Sequence, residues 1–180
     1  LLIESRLNSE LSQKKIIPGL TTFGKCYQRD DLLKVYESGL LENIQDKSLD
    51  GIPIVLDLCW GSATAFGSEV FEALGANLSI IHGEADGSRV NLNCGSTHLG
   101  KLRTAVIQQG AEMGFAFDGD ADRMIAIDKY GRVIDGDHIL YLWGSSLEEK
   151  KSLPDKKLVT TLMSNLGFEK AWLKKKGILI

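Results

Sequence analysis

The residues best suited to chemistry lie in one stretch, 111–128, AEMGFAFDGDADRMIAID, where Asp118, Asp120 and Asp122 alternate with Gly119 and Ala121 and Arg123 follows. Neighbouring carboxylates repel by about 1 kcal/mol per pair in water and about 4 kcal/mol near a protein surface at roughly 4 Å. A cation must therefore sit among them, or one must keep its proton. The small residues between them let the backbone curl so that the acids converge, and converging hard oxygen donors suit Mg²⁺ or a similar cation. The competing reading is a solvated acidic turn in which Arg123 neutralises part of the charge. Apolar Phe115-Ala116-Phe117 before the acids and Met124-Ile125-Ala126-Ile127 after them favour a loop held by buried strands, the usual scaffold of a site. An EF-hand does not fit, because Arg123 stands where that loop needs Gly and Lys129 where it needs Glu.

The flanking elements must carry this loop. Gly51–Leu58, GIPIVLDL, reads as a strand buried on both faces. It is followed by Cys59-Trp60-Gly61-Ser62-Ala63 and a helix with Phe66, Val70, Phe71 and Leu74 on one face and Gly75 at its end. A strand over Asn77–Ile81 leads through a polar loop, His82–Gly95, to a second helix. There Ser96 or Thr97 is the expected cap, Leu99, Leu102, Val106 and Ile107 the inward face, and Gly110 the stop. Met113–Phe117 is then the strand that delivers the acids. Strand, helix, strand, helix, strand predicts a parallel sheet whose ligands gather beyond the strands' carboxyl ends, which is where the acids fall.

Upstream, residues 1–12 are weakly helical and break at Ile17-Pro18-Gly19, and a helix is expected from Arg29 with Asp30 as its cap and Leu32, Leu33, Tyr36, Leu40 and Leu41 at helical spacing. Downstream, Met124–Asp128 and Arg132–Ile134 read as a hairpin. After it come a helix over His138–Leu147 begun by Asp135-Gly136-Asp137, a strand over Lys157–Leu162, a helix over Leu166–Lys176 capped by Ser164, and a strand from Ile178. The fold class is α/β: a three-layer α/β/α domain with a mainly parallel sheet, plus the first part of a second similar domain.

A chain of 180 residues, 43% hydrophobic, can bury one sizeable core and part of another. A net charge of −3 with acids and bases interspersed gives no reason to expect nucleic acid, and the clusters Lys14-Lys15 and Lys174-Lys175-Lys176 read as solvated faces. Cys26, Cys59 and Cys94 are odd in number and widely spaced, which predicts reduced thiols and a cytoplasmic protein. No apolar run approaches the length of a membrane span. Because the sequence starts without Met and stops inside an apolar run, it reads as a piece of a longer protein.

FAFDGDADR resembles the metal loop of the α-D-phosphohexomutase superfamily. VNLNCGSTH (Val90–His98), VIDGDHILYL (Val133–Leu142) and TLMSNLGFEKAWLKKKGI (Thr161–Ile178) are similar in order and spacing to its bacterial phosphoglucosamine mutase branch. The resemblance implies residues 1–27 as the tail of domain 1, 28–131 as domain 2 with the metal loop, and 132–180 as the opening of domain 3. It further implies a phosphoserine enzyme that interconverts glucosamine 6-phosphate and glucosamine 1-phosphate through a bisphosphate. In that scheme Asp118, Asp120 and Asp122 hold Mg²⁺, Arg123 contacts phosphate, and the remaining domains of the same chain are the other partners. Phosphomannomutase or phosphoglucomutase activity is the alternative within the superfamily. The sequence departs from the family pattern at Trp60, at His138 where glutamine is common, and at Leu99-Gly100 in place of a frequent Pro-Glu.

Lone His82, His98 and His138 read as loop or capping residues, with His98 the best placed of them for catalysis. Ser96 and Ser164 read as caps, Cys94 as a small buried residue, and nothing is spaced as a Ser-His-Asp triad. An aspartyl-nucleophile phosphatase would share Asp118 and Asp120, but it needs Ser or Thr where Asp122 stands. A non-catalytic cation-binding module is the third reading.

Overall fold

The computed structural model describes residues 24–44 and 48–180. The expected helix over 1–12, the break at Ile17-Pro18-Gly19, the Lys14-Lys15 cluster and most of the tail of domain 1 lie outside the described residues. The chain divides into two units between Leu32 and Leu33. In the described part of the first, Arg29 Nε donates to Asp31 Oδ1 over 2.8 Å. Helix α1 is Asp30–Glu42, so Asp30 opens it rather than capping it, and none of its residues is buried. In the second unit its Tyr36 meets Phe66 edge to face, with ring centres 5.3 Å apart.

The second unit is built on a five-stranded sheet of order β2-β1-β3-β4-β5: β1 Pro53–Asp57, β2 Asn77–Ile81, β3 Met113–Phe117, β4 Met124–Asp128 and β5 Val133–Ile134. β1 runs parallel to both β2 and β3, whereas β4 is antiparallel to β3 and to β5. Four of the five strands therefore share one direction, as a mainly parallel sheet requires. Helices cover both faces. Val55 and Ala116 turn toward α3 (Gly100–Gln109), where Leu102 and Val106 complete a dry cluster with Ile127. Ile54 and Leu56 turn the other way, into a cluster with Leu58, Ala63 and Phe71 from α2 (Gly67–Ala73). The alternation of β1 splits its side chains between the two cores, which is why its sequence is apolar without interruption. Gly114 lets α3 lie close: a Cβ there would sit 2.8 Å from Leu102 Cδ1, and Leu102 is fully buried.

Helix ends differ from expectation where the backbone found other partners. Neither Ser96 nor Thr97 caps α3; the Ser96 N–H donates to the Phe117 carbonyl, and Leu99 holds the cap position without a side-chain bond. Ile107 points off the sheet and is exposed, because Leu102 and Val106 use the inward face; it leans over the hairpin turn at Gly131 instead. The left-handed Gly110, at φ 64°, ends α3 as predicted.

Beyond the hairpin, α4 is Gly136–Glu149, and Asp135 and His138 form a reciprocal capping box at its start. β6 and β7 pair in parallel over Lys157–Leu158 and Ile178–Leu179, with α5, Leu166–Lys174, between them. β6 is shorter than the Lys157–Leu162 expected, since a turn closed by the Ser164 N–H on the Thr161 carbonyl carries the chain away and leaves Leu162 exposed. Asn165, not Ser164, caps α5, accepting from the Phe168 N–H at 2.8 Å; the Ser164 hydroxyl pairs with that of Thr160. Trp172 is fully buried, packs edge to face on Tyr141 and donates to the Lys156 carbonyl over 3.2 Å.

Glu148 ties α4 to this unit through Lys156 and Lys175. The Lys156 hydrogen bond, opposed by burial and helped by Lys175, holds the Glu148 carboxyl below its ordinary value of 4.5. A carboxyl lowered in the folded state contributes stability above its unfolded value and loses it as the pH falls through the folded one. Urea midpoints are therefore expected to fall below about pH 4.5, and to fall less steeply in Glu148→Gln; identical acid slopes in the two proteins would remove Glu148 from this account.

Candidate metal centre

β3 and β4 are joined by Asp118–Arg123, and the loop is closed by the Asp118 N–H on the Arg123 carbonyl at 3.2 Å. Ala121 adopts a left-handed φ of 62° and donates its N–H to the Asp118 carbonyl, which curls the segment back on itself. The curl brings one oxygen from each of Asp118, Asp120 and Asp122 within 4.8 Å of the others. Asp118 is buried and the other two are exposed, so the cluster has a fixed floor and an open mouth.

Arg123 clamps the floor. Its N–H reaches Asp118 Oδ1 at 3.1 Å and its Nε reaches Asp118 Oδ2 at 2.6 Å, while Nε lies 3.5 Å from Asp122 Oδ1. Burial pushes the Asp118 carboxyl upward, but the Arg123 N–H and guanidinium outweigh it and hold Asp118 below the usual carboxylate range. Asp122 is pushed the other way, first by the charge of Asp120 and then by Asp118. The cluster is thus an acceptor set whose negative charge at the mouth Arg123 only partly offsets. Mg²⁺ at about 2.1 Å from each oxygen needs donors no more than roughly 4.2 Å apart. The three oxygens are near that limit already, and the all-carboxylate donor set fits a hard cation.

Neighbouring loops press on this one from behind. A Cβ at Gly61 would overlap the Gly119 carbonyl, which accepts from the Ser62 N–H at 2.9 Å. A Cβ at Gly119 would overlap Val90, so both glycines are demanded by close approach.

Comparison with known proteins assigns the chain to a family. Residues 34–131 match phosphoglucomutase/phosphomannomutase α/β/α domain II, and residues 135–180 match α/β/α domain III. The chain belongs to the phosphoglucomutase/phosphomannomutase family. It is 60% identical over 178 residues to a phosphoglucosamine mutase of Prochlorococcus marinus strain MIT 9303, covering 99% of this chain and 38% of that protein. It is also 60% identical over 157 residues to one from Synechococcus sp. strain WH7803, covering 87% and 34%. The chain therefore spans about two-fifths of the length of the relatives it matches. In fold it is similar to a phosphoglucomutase/phosphomannomutase family protein of Burkholderia thailandensis, with TM-score 0.70 and 25% identity over 87% of this chain and 33% of that one. It is similar as well to an N-acetylglucosamine-phosphate mutase in its substrate complex, with TM-score 0.62, 21% identity and 80% and 31% coverage.

Within this family member a second polar centre lies behind the acids, and the sequence reading missed it. Asp57, at the end of β1, is fully buried. Its Oδ1 accepts from the Cys59 N–H and faces His82 Nδ1, both at 2.9 Å, and its Oδ2 accepts from the Gly95 N–H at 3.0 Å. One carboxylate thus fastens the loop that follows β1 to both ends of the loop that joins β2 to α3. The signal was an acid inside an apolar strand, PIVLD, where an unpaired charge would be costly. Of the histidines, His82 enters this network, whereas His98 is exposed beside Thr97 and His138 belongs to the α4 cap. Trp60 lies between the His82 ring, 5.4 Å away, and the Arg89 guanidinium, 4.9 Å above its centre.

Proposed function

We propose that this chain is the metal-bearing part of a phosphosugar mutase that interconverts glucosamine 6-phosphate and glucosamine 1-phosphate through a phosphoserine enzyme and a hexosamine bisphosphate. Its domain 2 is 28–131, its domain 3 begins at 132, the phosphoserine and the remaining sugar contacts belong to other domains of the whole protein, and the enzyme works in the cytoplasm. The observation that carries the reading is the convergence of Asp118, Asp120 and Asp122 on one point at a strand end.

Asp118, Asp120 and Asp122 would hold Mg²⁺, which when bound neutralises charge on a transferring phosphoryl group. Arg123 keeps Asp118 ionised and oriented through Nε, and directs the rest of its guanidinium, on an exposed side chain, at the phosphate. Asp120 and Asp122 are exposed, so a phosphate has room to approach the open side of the cluster. Phosphomannomutase or phosphoglucomutase activity in the same family is the second reading, supported by the family match itself.

The test is the full-length protein with glucosamine 6-phosphate, a hexose bisphosphate primer and Mg²⁺, against the same mixture with EDTA. Turnover that requires both additions is expected. Faster turnover of mannose or glucose phosphate moves the assignment within the family. Turnover indifferent to EDTA, or phosphate trapped on Asp118, overturns the mechanism.

A further inference from the structure

Cys59 and Cys94 stand 35 positions apart, yet the fold brings their sulfurs to 3.7 Å. Both are fully buried. Cys59 Sγ also faces Asn91 Oδ1 at 3.2 Å, and Cys94 Sγ faces the Arg89 carbonyl at 3.7 Å, so the thiols are held against each other by the loop between β2 and α3. Cys59 and Trp60 are consecutive non-glycine residues in the left-handed region, both at φ 56°, a costly backbone that persists only where surroundings fix it.

Each thiol lies within two residues of a contact to the acidic loop. From Cys59 the chain runs to Gly61, in van der Waals contact with Gly119, and to Ser62, whose N–H holds the Gly119 carbonyl. From Cys94 it runs to Ser96, whose N–H holds the carbonyl of Phe117, the residue before Asp118. We propose that Cys59 and Cys94 are an oxidation site: a hydroperoxide joins them in a disulfide, and the shift this forces on the two loops weakens cation binding at Asp118, Asp120 and Asp122. The weakened cation binding rests on the metal reading above; the disulfide does not.

The chemistry balances with hydrogen peroxide as oxidant. One thiolate attacks a peroxide oxygen, the O–O bond breaks, and with one proton taken up the products are a sulfenic acid and water. The second thiol attacks the sulfenic sulfur, the S–O bond breaks, and its proton leaves with the hydroxyl as a second water. Two thiols lose two electrons and two hydrogens; peroxide gains both. The bond requires sulfurs about 2.05 Å apart, so the loops must absorb well over an ångström of approach. Burial first, and then the hydrogen bond with Cys59, push the Cys94 thiol up to about 11, which keeps Cys94 protonated at neutral pH and slow to react. Exposed Cys26 offers an internal comparison.

The experiment treats the full-length protein with hydrogen peroxide, removes the excess, alkylates under denaturing conditions and maps the peptides by mass. A Cys59–Cys94 linked peptide, lighter by two hydrogens and lost on dithiothreitol treatment, is expected, with Mg²⁺ Kd raised roughly fivefold or more in the oxidised protein. Cys94→Ala, and independently Cys59→Ser, should keep the reduced protein's Kd after peroxide. Oxidation of Cys26 with Cys59 and Cys94 recovered singly overturns the site. A linked peptide with unchanged Mg²⁺ affinity overturns its effect on the acids. Failure of the reduced protein to bind Mg²⁺ counts against the proposed function alone, since the peptide map still decides the disulfide.

Discussion

Asp118→Asn in the full-length protein is expected to lower kcat by about 10²–10³-fold, with a weaker Mg²⁺ requirement in what activity remains. Asp118 is the only one of the three acids that is buried, and it takes both the N–H and the Nε of Arg123. An amide keeps one acceptor oxygen but turns an NH₂ toward either a backbone donor or the guanidinium. One substitution therefore removes a charge from the cation and frees Arg123 from its orientation. Asp122→Asn separates the two effects, because Asp122 is exposed and Arg123 approaches it only at 3.5 Å. The neighbouring charge of Asp120 already pushes the Asp122 carboxyl upward. A group raised in the folded state costs stability once it ionises, and that cost grows as the pH climbs through its value. In EDTA at neutral pH Asp122→Asn should thus melt at or above the wild-type temperature while its Mg²⁺ affinity drops. Thermal melts with and without Mg²⁺ check this. If Asp122→Asn melts lower in EDTA and binds Mg²⁺ normally, the acids are an ordinary solvated turn.

Much of the sheet was legible because period and punctuation agree there. The apolar run of β1, the glycines at 75 and 110, and the Lys129-Tyr130-Gly131 turn each have a local physical cause, and each lies where the sequence placed it. The acidic loop was legible for the same reason: its three carboxylates are neighbours in sequence, and a six-residue excursion between paired strands leaves them little room to separate. What was hidden depends on distant parts of the chain meeting. Cys59 and Cys94 look unrelated by spacing, and the parallel pairing of β1 with β2 sets the loops that follow these strands side by side. Ser96 has a capping residue's chemistry, yet the carbonyl of Phe117 claims its N–H before the helix starts. Trp60, bulky where the family pattern is small, finds room because it adopts a left-handed backbone and lies between His82 and Arg89.

The second large effect follows from Asp57, the buried acid at the end of β1. Its two oxygens serve the N–H groups of Cys59 and Gly95 and face the ring of His82, and the carboxylate itself is fully buried. Asp57→Ala strands two buried N–H groups at about 1–3 kcal/mol each, so the domain should lose roughly 3–5 kcal/mol. Asp57→Asn should fall between: its oxygen can still accept from Cys59 and His82, while its NH₂ faces the Gly95 N–H, donor against donor. The order wild type, Asp57→Asn, Asp57→Ala is expected in urea midpoints, and the amides of Cys59 and Gly95 should exchange fastest in the alanine variant. Both variants should also bind Mg²⁺ more weakly than wild type, because Gly95 leads to the Ser96–Phe117 bond and Cys59 leads to the Gly61–Gly119 contact, the two supports beneath Asp118. Unchanged exchange at Gly95 in Asp57→Ala would mean that the loops hold themselves and that the acids owe nothing to the carboxylate behind them.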